Sequence, residues 1–208
     1  MTASLIELAR AVLRPLDAPA TFIASQILSP DLEDDDTDVD EWVALDAGVA
    51  RRIAEGGGRV VLRVGPGRAS LATAPRLEGL SLEVVVSGPD LDGAIAAVAC
   101  ALDEGVAVRA VLATGETGID AFRAAGAARH VLGTRVPIRV RWDDVLDVKG
   151  AALALTFGAD ELAGPLAPPL AQKRLAQIGG PPEDGHRPSP AYLETLIRAA
   201  GRMPARRR

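Results

Sequence analysis

This 208-residue chain has a single cysteine, Cys100, so an intrachain disulfide is impossible and no cysteine-ligated metal centre can be assembled from its own thiolates. Aromatic residues make up only 3% of it, and positive charge is in deficit: the formal net charge is -5. A protein that neutralises a phosphate backbone needs a basic face, so nucleic acid is not an expected partner. No uncharged apolar run approaches the roughly 20 residues of a membrane helix. The N-terminal MTASLIELARAVLRP carries Glu7 within its apolar part, unlike a secretory signal, and the chain reads as cytoplasmic. Also missing are G-x-S-x-G, a P-loop and H-E-x-x-H, and His130 and His186 have no third ligand at a metal-binding spacing.

What is present is the balance of a globular protein, 48% hydrophobic and 25% charged, with abundant Ala, Gly, Val and Leu. Residues 4–14 place Leu5, Ile6, Ala9, Val12 and Leu13 on one helical stripe that Pro15 ends. A weak strand pattern runs from Ala20 to Leu28, and the acidic run 31–41 has no internal Gly of a calcium loop and reads as a solvated loop. From Asp40 a βα rhythm takes over. Asp40 is placed to cap a helix carrying Val43, Leu45, Val49 and Ile53, and Gly56-Gly57-Gly58 stops it. Strands are expected at 59–64, 80–87, 106–114 and 137–142, separated by helices after Pro89 and over 119–132 and followed by one over 144–157. Strands alternating with helices pair in parallel through right-handed crossovers. The expected fold is α/β, a mostly parallel sheet with flanking helices that is either open or a partial (βα) barrel. The organisation is an N-terminal helix and arm (1–30), the acidic loop (31–41), an α/β core (42–166), and a Pro/Gly-rich loop leading to a C-terminal helix (167–208). That last helix is capped by Ser189 with Pro190 at its first position, and Gly201 and Pro204 follow its end. Ala205 to Arg208 read as a frayed basic tail.

Candidate functional residues lie at strand ends and on one strand face. Gly65, Gly67 and Arg68 follow the strand at 59–64, where α/β folds place ligands, and their amides and guanidinium suit a carboxylate or phosphate. Glu116 ends another strand. Arg139 and Arg141 alternate with Ile138 and Val140, so both project to one side of their strand: the interior of a barrel, where they attract an anion, or the solvent face of an edge strand. In LTFGADELAGPL (155–166), Asp160 and Glu161 stand side by side between an apolar run and Gly-Pro, as an acid/base pair or as punctuation of the fold.

Two segments carry a family resemblance. Phe157-Gly158-Ala159-Asp160-Glu161-Leu162-Ala163-Gly164, preceded by VPIRVRW and KGAALAL, resembles the FGADDLDGT segment of the radical S-adenosylmethionine (SAM) enzymes of the futalosine route to menaquinone, aminofutalosine synthase and dehypoxanthine futalosine cyclase. Tyr192 to Pro204 is similar to the helix that closes those enzymes, and Gly115-Glu116-Thr117 to their Gly-His-x-Glu-Thr strand end. The resemblance implies a truncated barrel, with Asp160 and Glu161 as a family segment closing the last βα region. It also exposes a departure. The family's cluster is held by a C-x-x-x-C-x-x-C loop, and this chain has none, so radical catalysis by this chain alone is excluded, no cofactor is expected, and Cys100 reads as a helix residue. The expectation is a non-catalytic relative that binds a partner or a small anionic metabolite. The alternative is a cofactor-free hydrolase or isomerase of a futalosine-like compound using Glu116, Asp160 or Glu161. Truncation leaves strand edges to cover, so a homodimer, or a heterodimer with a full-length radical-SAM relative, is expected, with the N-terminal helix as a candidate cover.

Overall fold

The computed structural model describes residues 19–27, 39–65, 81–167 and 187–207. The expected N-terminal helix, most of the acidic loop, Gly67, Arg68 and the Pro/Gly-rich segment before residue 187 lie outside the described residues. Eight strands form one all-parallel sheet: β1 (Ala20–Ile27), β2 (Glu41–Ala44), β3 (Val60–Val64), β4 (Ser81–Val86), β5 (Val108–Ala113), β6 (Ile138–Arg141), β7 (Glu161–Gly164) and β8 (Pro204–Arg206). Each of β2 to β6 pairs with the next, β7 pairs with β1, and β1 pairs with β2, so seven strands close into a parallel barrel. The described helices are α1 (Ala47–Glu55), α2 (Leu91–Asp103), α3 (Gly118–Leu132), α4 (Val148–Ala154), which runs on into a 3-10 turn at Leu155–Phe157, and α5 (Pro190–Ala199). None is long and apolar enough to cross a membrane.

Closure is imperfect at one seam, and the chain mends it itself. The C-terminal half of β1 pairs with β2 (Ser25 opposite Glu41), while its N-terminal half pairs with β8 (Ala20 opposite Pro204, Phe22 opposite Arg206). Ala205 and Arg206 of the expected frayed tail are therefore strand residues. Arg206 donates from Nε to Asp40 Oδ2 at 3.0 Å, and the same carboxylate accepts the Ala24 amide at 3.0 Å, stitching β8, β1 and the start of β2 together. The N-terminal half of β1 is thus covered by the chain's own C-terminal segment.

The helix expected from Asp40 is split: Glu41–Ala44 pairs as β2 and the helix begins at Ala47, capped by Asp46, whose side chain accepts the Val49 amide. Four residues between two parallel neighbours gain ladder bonds on both edges, which outweighs a helical stripe that reads equally well on paper. Elsewhere local chemistry and structure agree. Thr117 and Asp120 form a reciprocal capping box on α3, Asp147 caps α4, and Ser189 caps α5 with Pro190 in its first turn. The core between barrel and helices uses Ala94, Ala97 and Ala101 of α2 and Ala121, Ala124, Ala125 and Ala128 of α3, small side chains at helical spacing that let the helices lie close to the strands. Along β6, Ile138 and Val140 face this core, which turns Arg139 and Arg141 into the bore.

Candidate functional site

The bore is filled by an ion network. Arg139, fully buried, donates from Nε to Glu161 Oε1 at 2.7 Å and from Nη1 to Glu83 Oε1 at 2.7 Å, and Nη1 lies 2.8 Å from Glu41 Oε1. Arg63 bonds the other oxygen of Glu83 at 2.6 Å. Arg109 bonds Glu161 Oε2 at 3.1 Å and reaches Glu41 at 3.5 Å. The register slips between Leu82/Glu83 and the facing β5, so Arg109 is the extra residue of a bulge, which re-aims its side chain toward Glu41 and Glu161. Three guanidinium groups thus meet three carboxylates, drawn from β2 to β7. Burial by itself would lower the basicity of Arg139; the surrounding Glu161, Glu83 and Glu41 outweigh it and hold the group firmly protonated. Burial likewise favours the neutral form of Glu83, and Arg139, Arg63 and Arg141 overcome it, holding that carboxyl below its ordinary value.

Further along β6, Arg141 is equally self-sufficient. It grips Asp143 through Nε and Nη2, each at 2.8 Å, and bonds Ser25 through Oγ at 2.8 Å and through the backbone carbonyl. Of the two sequence alternatives for Arg139 and Arg141, the interior one holds, but each guanidinium already has carboxylate partners.

Asp160 and Glu161 are brought side by side and then turned apart. Glu161 points into the bore. Asp160 accepts the Ile138 amide at 2.7 Å and a charged bond from Arg129 of α3, whose Nε also donates to the Gly158 carbonyl at 2.9 Å. Burial pushes the Asp160 carboxyl up from its ordinary value, against the pull of Arg129 and the Ile138 amide. The two do not form an acid/base pair. Gly158 and Gly164 complete the motif: Gly158 has a φ of 106° and a Cβ there would stand 2.8 Å from Arg129 Cβ, and Gly164 lies so close to Trp142 that a Cβ would sit 2.5 Å from its ring. Glu116 is exposed in the loop between β5 and α3, and Gly65 is exposed at the end of β3, so neither joins the bore cluster.

A cavity of about 460 Å³ opens instead at the N-terminal mouth of the barrel, beside the β1–β2 seam. Its walls include Asp40 and Glu41 at the start of β2, Arg59 before β3, Arg109, and Arg207 after β8. None of these had been singled out as a ligand-binding residue from sequence. The available signal was a lone charged residue in each of several apolar strands: Arg63 in VVLRV, Glu83 in SLEVVV and Arg109 in VRAVLA.

No protein-family model matches the chain, and no curated protein matches it in sequence. Solved structures do match in fold. A crystal structure of HydG, a maturase of the [FeFe]-hydrogenase, superposes with a TM-score of 0.54 at 10% identity, covering 99% of this chain and 58% of that one. HydG from Carboxydothermus hydrogenoformans gives 0.52 at 11% identity over 99% and 60%. What the chain shares with these structures is its fold, a parallel barrel with flanking helices. The chain spans about three fifths of the length of these structures. The residues present do not fit an iron–sulfur cluster held by three cysteines: the one cysteine, Cys100, sits on α2 outside the bore with Sγ 3.3 Å from Glu104 Oε1.

Proposed function

We propose that this chain is a non-catalytic, radical-SAM-related barrel that binds a small anionic metabolite. The observation that carries this reading is the cavity at the N-terminal mouth, whose walls hold Arg59, Arg109 and Arg207 in a chain of net charge -5. Guanidinium groups concentrated in a concave site against the overall charge are how proteins select carboxylate and phosphate oxygens. The lack of the three-cysteine loop supports the absence of radical chemistry, and the bore network supports it further, because it occupies the barrel interior with arginines and glutamates paired to one another. The link to menaquinone biosynthesis rests on the FGAD and C-terminal helix motifs, which make a futalosine-type acid the first metabolite to try. A full-length radical-SAM relative is the partner those motifs suggest.

No observation favours the cofactor-free hydrolase: Asp160 and Glu161 are each committed to arginine, and Glu116 stands alone in solvent. The test is native mass spectrometry of the purified full chain, with thermal melts in a panel of organic and phosphate anions at matched ionic strength. A co-purified acid, or a melting point raised by particular anions beyond chloride, is the expected result. Melting points that follow ionic strength alone, with no bound species, refute the reading.

A further inference from the structure

We infer that the N-terminal mouth is a site for a doubly charged oxyanion, a phosphate monoester or a dicarboxylate, which bridges the barrel's seam. The inference rests on the anion-binding reading above and gives it a place, a charge and a mechanical consequence.

The charge follows from pairing. Arg63, Arg109 and Arg139 balance Glu41, Glu83 and Glu161, and Arg206 balances Asp40. That leaves Arg59, which makes no ion pair among the described residues, and Arg207, whose guanidinium makes a 3.5 Å approach to a Glu161 already held by Arg139 and Arg109. Both line the cavity, so among the described residues two positive charges remain there for a ligand to neutralise. A donor is waiting as well: Arg109 Nη1 is buried and has no hydrogen-bond partner among the described residues. Leaving such a group unsatisfied is costly, and a ligand oxygen in the cavity supplies the missing acceptor. Three guanidinium groups converging on a space of about 460 Å³ suit a small molecule with one anionic head.

The mechanical consequence comes from which elements supply the three arginines. Arg207 follows β8, which holds to β1 through short backbone pairing, including the Arg207 amide donating to the Phe22 carbonyl at 3.0 Å and the Ala20 amide donating to the Met203 carbonyl at 2.9 Å. Arg59 lies across the seam at the entrance to β3, and Arg109 comes from β5. An anion held by all three ties the C-terminal strand to the opposite wall and slows its release.

Titration calorimetry on the full chain at constant ionic strength tests this with inorganic phosphate, succinate and acetate as probes. Phosphate or succinate should saturate a single site while acetate does not, and the tighter of the two identifies the phosphate or the dicarboxylate class. Arg59→Gln and Arg207→Gln, both at solvent-accessible positions, should each weaken binding about tenfold, as expected for one charge-assisted contact, while Arg123→Gln on the exposed face of α3 leaves it unchanged. Hydrogen exchange at the Ala20 and Arg207 amides should slow on adding the bound dianion to the parent protein and not to Arg207→Gln. Saturable binding that ignores both substitutions overturns the site and leaves anion binding standing. No saturable binding of either dianion to the folded chain overturns both readings. Acetate binding as tightly as the dianions refutes the charge requirement, and binding without slower exchange refutes the bridge.

Discussion

Replacing Arg139 with methionine tests whether the bore network is held together as its geometry implies. Methionine keeps much of the side chain's length and removes the charge. Arg139 is fully buried and touches three carboxylates, so its loss leaves the bore with one uncompensated negative charge. Removing one partner of a buried pair costs about 3–5 kcal/mol. Here Glu83 keeps Arg63 at 2.6 Å and Glu161 keeps Arg109 at 3.1 Å, while Glu41 keeps only the 3.5 Å approach of Arg109. The expected loss is therefore near the lower end, about 3 kcal/mol at neutral pH. The pH dependence separates this cause from simple loss of packing. In the parent protein the folded Glu83 carboxyl lies below 4.5, so its stabilisation is present above that value and is lost as pH falls through the folded value. In the variant an orphaned carboxyl is raised instead; its contribution is full below the unfolded value and is lost as pH rises through the folded one. The two stability curves should converge on acidification, by up to about 1.4 kcal/mol per pH unit for one proton. Urea denaturation at several pH values measures both, with unchanged m-values confirming comparable transitions. A loss under about 1 kcal/mol, or a gap that stays constant with pH, would refute the reasoning.

Three further outcomes follow from the fold. Gly164→Ala drives a methyl into Trp142 at a φ of 155°, and should cost about 2–4 kcal/mol in chemical denaturation, against a few tenths for an exposed site. Asp160→Ala removes the acceptor of the Ile138 amide and of Arg129 together, for an expected loss of about 2–3 kcal/mol in the same assay, without loss of anion binding if the cavity is the site. Thr117→Ala removes the Oγ1 acceptor of the Asp120 amide, leaving the Thr117 amide on the Asp120 carboxylate, and should lower stability by about 1 kcal/mol, readable as a small shift in the melting temperature.

The order of strands and helices was largely legible because a parallel barrel buries its strands on both faces and separates them with capped, periodic helices. RVVLRV, LSLEVVVS and VAVRAVLAT announce themselves as apolar runs, and Thr117, Asp147 and Ser189 stand where caps are needed. What the sequence hid was set by tertiary pairing. EWVA becomes β2 and ELAG becomes β7 because each has a parallel neighbour on both sides, a property invisible in four residues. PAR becomes β8 because the seam leaves a place beside β1. The alternation of Arg139 and Arg141 correctly marked one strand face, yet only the assembled barrel shows that Glu41, Glu83 and Glu161 meet Arg139 there, and Asp143 and Ser25 meet Arg141. The cavity was missed for a related reason: its arginines come from a loop, a bulge and a terminal strand that lie far apart in sequence.

The most direct test of the central claim, that this barrel binds rather than performs radical chemistry, is anaerobic reconstitution of the full chain with iron, sulfide and S-adenosylmethionine. The account predicts no stoichiometric iron–sulfur absorption and no cleavage of adenosylmethionine by the chain on its own, since one cysteine on α2 cannot hold the cluster. A stable cluster that cleaves adenosylmethionine would contradict it.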